Sequence, residues 1–130
     1  DLTRTLAQES RQHVVDLVPD GAARARSGDY RGAVSLMQEA AAKLPNNPAV
    51  AFNAALATLR CLEHDGWDDK LGLQAVSLIG NVRKLDPGNP KLGALSALHH
   101  QVLKKYERNA QGRQVKPAQK GAPPAAGKAA

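Results

Sequence analysis

The stretch AVSLMQEAAAKLPNNP at residues 33–48 decides the fold, because it returns 42 residues later as AVSLIGNVRKLDPGNP at residues 75–90. Seven of the sixteen positions are identical, and Ile79 takes the place of Met37. In both copies apolar residues recur three and four positions apart, which indicates a helix buried along one face. Each copy ends in Asn-Pro, and a proline suits the first turn of a following helix, where no N–H is needed. The echo therefore predicts two equivalent helices, each followed by another helix.

The rest of the composition also indicates helices. Ala and Leu are abundant, whereas the 130 residues include only one Phe, one Trp and two Tyr. Ala and Leu favour helices, and the β-branched and aromatic residues that favour strands are sparse. No segment alternates apolar and polar residues in the manner of a strand. We therefore predict an all-α fold.

Prolines and glycines divide the chain into three predicted regions. A leader helix covers residues 1–18 and ends at Pro19, which lacks an N–H and crowds the preceding turn. A helical repeat domain covers residues 19–108, with units at about 14–47 and 48–89 and a closing helix at 90–108. Residues 109–130 are rich in Ala, Pro, Gly and Lys and contain one large apolar residue, Val115, so we predict a disordered tail.

The charge and the single cysteine limit the classes of function. Of the net charge of +6, most lies in the tail, which holds four of the 18 basic residues and none of the 12 acidic ones. The body is nearly balanced, which argues against a nucleic-acid-binding surface there. One cysteine, Cys61, and the lack of an apolar run of membrane length predict a cytoplasmic protein. Because the chain begins with Asp1, we expect it to be a piece of a longer protein.

The spacing resembles the tetratricopeptide repeat (TPR), a helix–turn–helix unit of about 34 residues. Gly-Asp-Tyr at residues 28–30 stands at the turn of the first unit, and Pro45 closes that unit. The second unit is longer, and we expect its extra residues to lengthen its first helix and the EHDGWDD loop at residues 63–69. HEAT and armadillo repeats are the alternative, since their period of about 40–47 residues includes 42. The Gly-Asp-Tyr turn and the two Asn-Pro pairs favour the TPR.

The TPR resemblance implies an α-solenoid of antiparallel helix pairs with a closing helix. It also implies a small residue where paired helices cross, a place held here by Gly21, Ala55 and Ala97. In such a solenoid the first helix of each pair lines a concave groove. The groove residues implied here are Val18, Ala22, Ala25 and Arg26 from the first unit, and Ala49, Phe52, Asn53, Leu56, Leu59 and Arg60 from the second.

A groove of that composition suits a peptide or an amphipathic helix of a protein partner. Phe52 is the expected anchor, and Arg26 and Arg60 are expected to orient an acidic group beside it. The competing interpretation is that the leader helix itself covers these apolar residues. The layout is also similar to the helical output domain that follows the receiver domain in some bacterial response regulators, which implies a role in signal transduction. The alternative function is a nucleic-acid or membrane-surface adaptor that acts through the basic tail.

No segment carries a recognisable catalytic or cofactor motif. The acids of EHDGWDD lack the alternation and the distal Glu of a calcium loop. His99 and His100 are adjacent, so on a helix they point about 100° apart and share a metal poorly. Cys61 has no second cysteine to pair with. We therefore predict a binding module that is not an enzyme, with no cofactor, no metal and no small-molecule substrate.

Overall fold

The computed structural model describes residues 16–115, and these residues are built from helices. The helical segments are residues 16–26 (α1), Tyr30–Lys43 (α2), Pro48–Asp65 (α3), Asp69–Leu85 (α4) and Leu92–Lys105 (α5). Over residues 16–115 the structure contains no β-strand, and a single isolated bridge joins Arg108 to Gln114. The all-α prediction is confirmed. The first fifteen residues of the predicted leader and the predicted tail from residue 116 onward lie outside the described residues.

Local sequence signals fix where three of the helices begin. Asp29, Asn47 and Asp68 stand directly before α2, α3 and α4, and the side chain of each accepts a hydrogen bond from the backbone N–H three residues further on. These caps satisfy backbone donors that have no partner inside the helix. Pro48 is the first residue of α3, as the sequence predicts. The turns between helices are therefore encoded locally.

Two predicted boundaries differ from the structure. Helical conformation is continuous over residues 16–26, so Pro19 does not separate the leader from the repeat domain there. A proline's own φ is close to the helical value, which lets it lie within a helix. The helix α3 has 18 residues and ends at Gly66, where φ is 107°, so the EHDGWDD loop shrinks to residues 66–68. The extra length of the second unit is thus mostly helix.

The helix α3 is the centre of the packing. It contacts α2 on one side and α4 on the other, and α5 packs against both α3 and α4. Small residues on α3 let its neighbours come close, since Ala54 and Ala55 are fully buried. The largest fully buried side chains are Leu59, Leu62, Leu95, Val82, Val102, Thr58 and Cys61. A second, smaller cluster joins α1 to α2 and α3 through Leu17, Ala40 and Val50.

The three small residues assigned to helix crossings do not share one environment. Gly21 is buried, and a Cβ built on it would lie 3.1 Å from carbon atoms of Met37 on α2. Ala55 is fully buried. Ala97 is exposed, so its prediction as a crossing residue is wrong for this chain. The reason is that no further helix among the described residues covers that side of α5.

The predicted tail boundary at Asn109 falls inside an ordered turn. The Asn109 side chain accepts hydrogen bonds from the N–H groups of Gln111 and Arg113, at 3.0 and 2.9 Å. The N–H of Val115 donates back to the carbonyl of Glu107, which closes the turn. Residues 109–115 therefore belong with the folded part, because their backbone groups are paired there rather than left to solvent.

None of the helices in residues 16–115 is both long and apolar enough to span a membrane.

Candidate peptide-binding surfaces

The apolar groove residues predicted on α1 and α3 are partly accessible. Val18 and Ala22 lie on α1, Phe52 and Leu56 lie on α3, and all four are half-buried. Each packs against the main hydrophobic core, so one side of the residue is buried while another remains in contact with solvent. We refer to these four residues as the α1–α3 surface.

Leu59 is not part of an accessible surface, which corrects its prediction as a groove residue. It is fully buried, with 0% of its surface exposed. Its neighbours Thr58, Cys61 and Leu62 on α3 are buried as well, so this part of the helix lies in the core. Burial of a leucine stabilises the fold by about 1.5–3 kcal/mol. Leu59 therefore contributes to stability rather than to binding.

The polar groove residues differ in how their side chains are held. Arg26 and Arg60 are exposed, and Asn53 is half-buried. The Arg60 guanidinium donates to the Glu63 carboxylate at 2.8 Å, one turn further along α3. Such exposed pairs contribute about 0.5 kcal/mol or less, so an acidic ligand can replace Glu63 at low cost.

A second groove, which the sequence did not reveal, lies between α2 and α4. The Gln38 side chain of α2 donates to the Thr58 hydroxyl of α3 at 3.2 Å and to the Gln74 carbonyl oxygen of α4 at 2.9 Å. Thr58 is fully buried and donates to the Ala54 carbonyl at 2.7 Å, so its polar atoms are satisfied. This network joins three helices through side chains. The sequence signal for this network is Thr58, a single polar residue on a face of α3 that is otherwise rich in Ala and Leu.

Cavities of about 260 Å³ open on either side of this network. One cavity ends where the Asn81 side chain donates to the Pro45 carbonyl at 3.1 Å. The other is flanked by Arg31, Lys70 and Asp68. The groove is polar along much of its length, since Ser35, Gln38, Gln74, Ser77 and Asn81 line it.

The acids of the α3–α4 junction are used to hold helices together. Arg31 of α2 lies 3.4 Å from a carboxylate oxygen of Asp68 and 4.0 Å from one of Asp65. His64 pairs with Asp65, which lowers the pKa of Asp65, and the His64 ring lies 4.7 Å from the Tyr30 ring. Among residues 16–115 no group of three or more His, Cys, Asp or Glu side chains is placed to hold a metal.

Trp67 closes the same junction. Its indole N–H donates to Asp69 at 2.8 Å, and its ring lies 6.2 Å from Tyr106 and 5.2 Å from the Arg108 guanidinium. Gly72 of α4 lies directly under the ring, since a Cβ there would be 2.4 Å from a ring carbon. The indole therefore ties the loop, α4 and the C-terminal turn into one cluster.

Cys61 and His99 are not set up as reactive groups. Burial, followed by the nearby charge of Asp65, raises the pKa of the Cys61 thiol to about 11. The thiolate, which is the nucleophile, is thus scarce near neutral pH. Burial also lowers the pKa of His99, with smaller effects from the neighbouring His100 and Arg83.

Comparison with protein-family models, with curated proteins and with solved structures gives no match for this chain. Inference about its function therefore rests on the surfaces described above.

Proposed function

We propose that this chain is a TPR-like protein-binding module that takes a peptide or an amphipathic helix on its α1–α3 surface. Consecutive helices pack side by side and are joined by only three to six residues. Such short connections make each helix run back along the previous one, as in the antiparallel pairs of a solenoid. The module would serve a larger cytoplasmic signalling protein, such as a response regulator, by contacting a protein partner.

The observation that carries this proposal is the partial burial of the α1–α3 surface. Its apolar side chains rest on the core and still present area to a partner, with Phe52 as an aromatic residue among them. Arg26 and Arg60 are exposed on the same two helices. Aromatic and arginine side chains are the types that most often dominate binding energy at interfaces.

The proposal is tested with peptides selected from a displayed random library against the full chain. Binding of the best labelled peptide is then measured by fluorescence anisotropy for the wild type and for Phe52→Ala. We expect Phe52→Ala to weaken binding by about 2 kcal/mol, or roughly 30-fold. Leu73→Ala on α4 is the control, because Leu73 is an exposed apolar residue on a different helix. Arg60→Glu is expected mainly to slow association with an acidic peptide.

One result would contradict the proposal. If Phe52→Ala lowers the melting temperature markedly and binding falls only with the folded fraction, Phe52 is a core residue. The α1–α3 surface would then be covered in the intact chain.

The adaptor alternative is favoured by one observation, the charge of the predicted tail at residues 109–130. Its four charged residues, Arg113, Lys116, Lys120 and Lys128, are all basic. Binding of nucleic acid through such residues weakens steeply with salt, whereas binding on an apolar surface does not. A salt titration of anisotropy with a 20-base-pair DNA duplex and with the selected peptide distinguishes the two functions.

A further inference from the structure

The internal repeat indicates what would cover the last helices of residues 16–115. Val34 of α2 and Val76 of α4 are equivalent at the 42-residue period. Val34 is 5% exposed and lines a cavity together with Leu71 of α4, whereas Val76 is 39% exposed. The side of α2 that faces α4 across the groove therefore corresponds to an exposed side of α4.

The same comparison holds for Gln38 and its equivalent, Gly80. Gln38 reaches Thr58 and Gln74 across the groove, but a Cβ built on Gly80 would meet no atom within 4 Å. Leu73, two turns before Gly80 on α4, is 58% exposed. Gly80 and Leu73 thus border open space, whereas Gln38 faces α4 across the groove between α2 and α4.

The helix α5 is open on the corresponding side. Ala55 and Thr58 of α3 are fully buried, while their equivalents Ala97 and His100 on α5 are exposed. A Cβ on Gly93 would also meet no atom within 4 Å. Small residues are what a second helix needs in order to approach to 8–10 Å between axes. We call these residues the end face: Leu73, Val76 and Gly80 of α4, and Gly93, Ala97 and His100 of α5.

Basic residues outnumber acidic ones along the stretch of chain that contains α5. Residues 83–113 contain seven Lys or Arg residues and two acids, Asp86 and Glu107. Arg83 crosses from α4 to donate to the Ser96 hydroxyl on α5 at 3.2 Å, and Arg108 and Arg113 line a cavity of about 440 Å³ beside Leu73. Asp69 also lines this cavity, where it accepts the Trp67 indole N–H and lies 3.9 Å from the Arg108 guanidinium, so of the two arginines there Arg113 is the one that does not pair with Asp69.

We propose that the end face docks an amphipathic helix from a partner protein whose polar side is acidic. Its large apolar side chains would occupy the space over Gly80, Gly93 and Ala97, where the repeat itself would otherwise place the next helix. Its carboxylates would pair with Arg83 and Arg113. This surface is separate from the α1–α3 surface, so the two can be occupied independently.

The test uses two synthetic 18-residue helical peptides that share a Leu and Ala apolar face. One peptide has Glu on its polar face, and the other has Lys. Amide chemical shifts of the ¹⁵N-labelled full chain locate the binding surface, and anisotropy gives the affinity. We expect the Glu peptide at 1 mM to shift the amides of Gly80, Gly93 and Ala97, and the Lys peptide to leave them unchanged.

Matched variants then separate this surface from the rest of α5. Ala97→Glu and Ala94→Glu make the same change at two exposed alanines of one helix, and Ala94 is the repeat equivalent of Phe52. Ala97→Glu is expected to weaken binding of the Glu peptide at least tenfold, whereas Ala94→Glu is expected to weaken it less than twofold. Gly80→Glu makes the corresponding change on α4, where the added side chain has open space, and should weaken binding of the Glu peptide to a similar extent.

Four outcomes would overturn the proposal. Amide shifts confined to Phe52 and Leu56 would show that the peptide binds the α1–α3 surface. Equal losses of affinity in Ala97→Glu and Ala94→Glu would show that the end face is not the interface. A 20-base-pair DNA duplex that binds more tightly than the Glu peptide would indicate a polyelectrolyte site. Sedimentation that shows wild-type self-association abolished by Ala97→Glu would make the occupant a second copy of this chain.

Discussion

Replacing Gly72 with alanine should destabilise the protein, although the same change at Gly80 on the same helix should stabilise it. Both glycines lie inside α4, where alanine is favoured over glycine by up to about 1 kcal/mol. A Cβ at Gly80 would meet open space. A Cβ at Gly72 would lie 2.4 and 2.6 Å from two carbons of the Trp67 ring, far inside the ordinary contact distance of about 3.5–4.0 Å.

The size of the effect follows from what holds the indole in place. Its N–H donates to Asp69, and Tyr106 and Arg108 lie around its ring, so it cannot withdraw without losing these contacts. Overpacking of this kind costs about 1–3 kcal/mol. After a gain in helix propensity of about 1 kcal/mol, we expect Gly72→Ala to lower stability by up to about 2 kcal/mol. Because both variants share that gain, they should differ by the overpacking cost alone, about 1–3 kcal/mol, or roughly 4–24 °C in melting temperature for a domain of this size.

Urea unfolding followed by circular dichroism measures both free energies of unfolding. Because the chain has one tryptophan, its emission reports directly on the ring. The Gly72→Ala spectrum should shift to the red, while the Gly80→Ala spectrum matches the wild type. If Gly72→Ala is as stable as Gly80→Ala and its emission is unchanged, the Trp67 ring does not pack on α4 and the reasoning fails.

Three further predictions concern stability. Leu59→Ala should cost about 2–5 kcal/mol in urea unfolding, whereas Leu73→Ala, at an exposed leucine, should change stability by about 0.5 kcal/mol or less; comparable losses would mean that Leu59 is not core. Truncation after residue 108 should melt below truncation after residue 115, because only the longer chain keeps the turn that closes over Trp67; equal melting temperatures would show that the turn contributes nothing. The Leu71 N–H donates to the Asp68 carboxylate and holds the pKa of that carboxyl below its usual value of about 3.9. The ionised Asp68 therefore contributes stability that is complete above about pH 4 and is lost as the pH falls through the pKa of the folded state. Asp68→Asn keeps a capping side chain that does not titrate, and its melting temperature should decline less below pH 4; parallel acid profiles would contradict this.

Much of the local structure could be predicted because its causes lie within a few residues of one another. Asp29, Pro48 and Asp68 act on the backbone immediately after them, so the helix starts could be derived from the printed chain. The buried faces of α2 and α4 follow from the helical period, as Ala33 and Ala75 show by being fully buried. The length of α3 could not be derived from the sequence. The hydrophilic residues Glu63, His64 and Asp65 are typical of a loop, and the side chains that contact them in the structure come from distant segments. Those three residues are contacted from α2, by Tyr30 and Arg31, and from the end of α5, by Lys105 and Tyr106.

The sequence by itself determined that the protein is helical, that a helix recurs after 42 residues, and that Phe52 and Leu56 face the same side of α3. Tertiary structure alone decided which equivalent positions are covered. Ala55 and Ala97 have the same residue type and the same place in the repeat, yet only Ala55 is buried, because α4 follows α3 and no described helix follows α5. The same reason separates Val34 from Val76. Whether a residue is buried depends on whether a neighbouring helix covers it, and the residue type alone does not determine that.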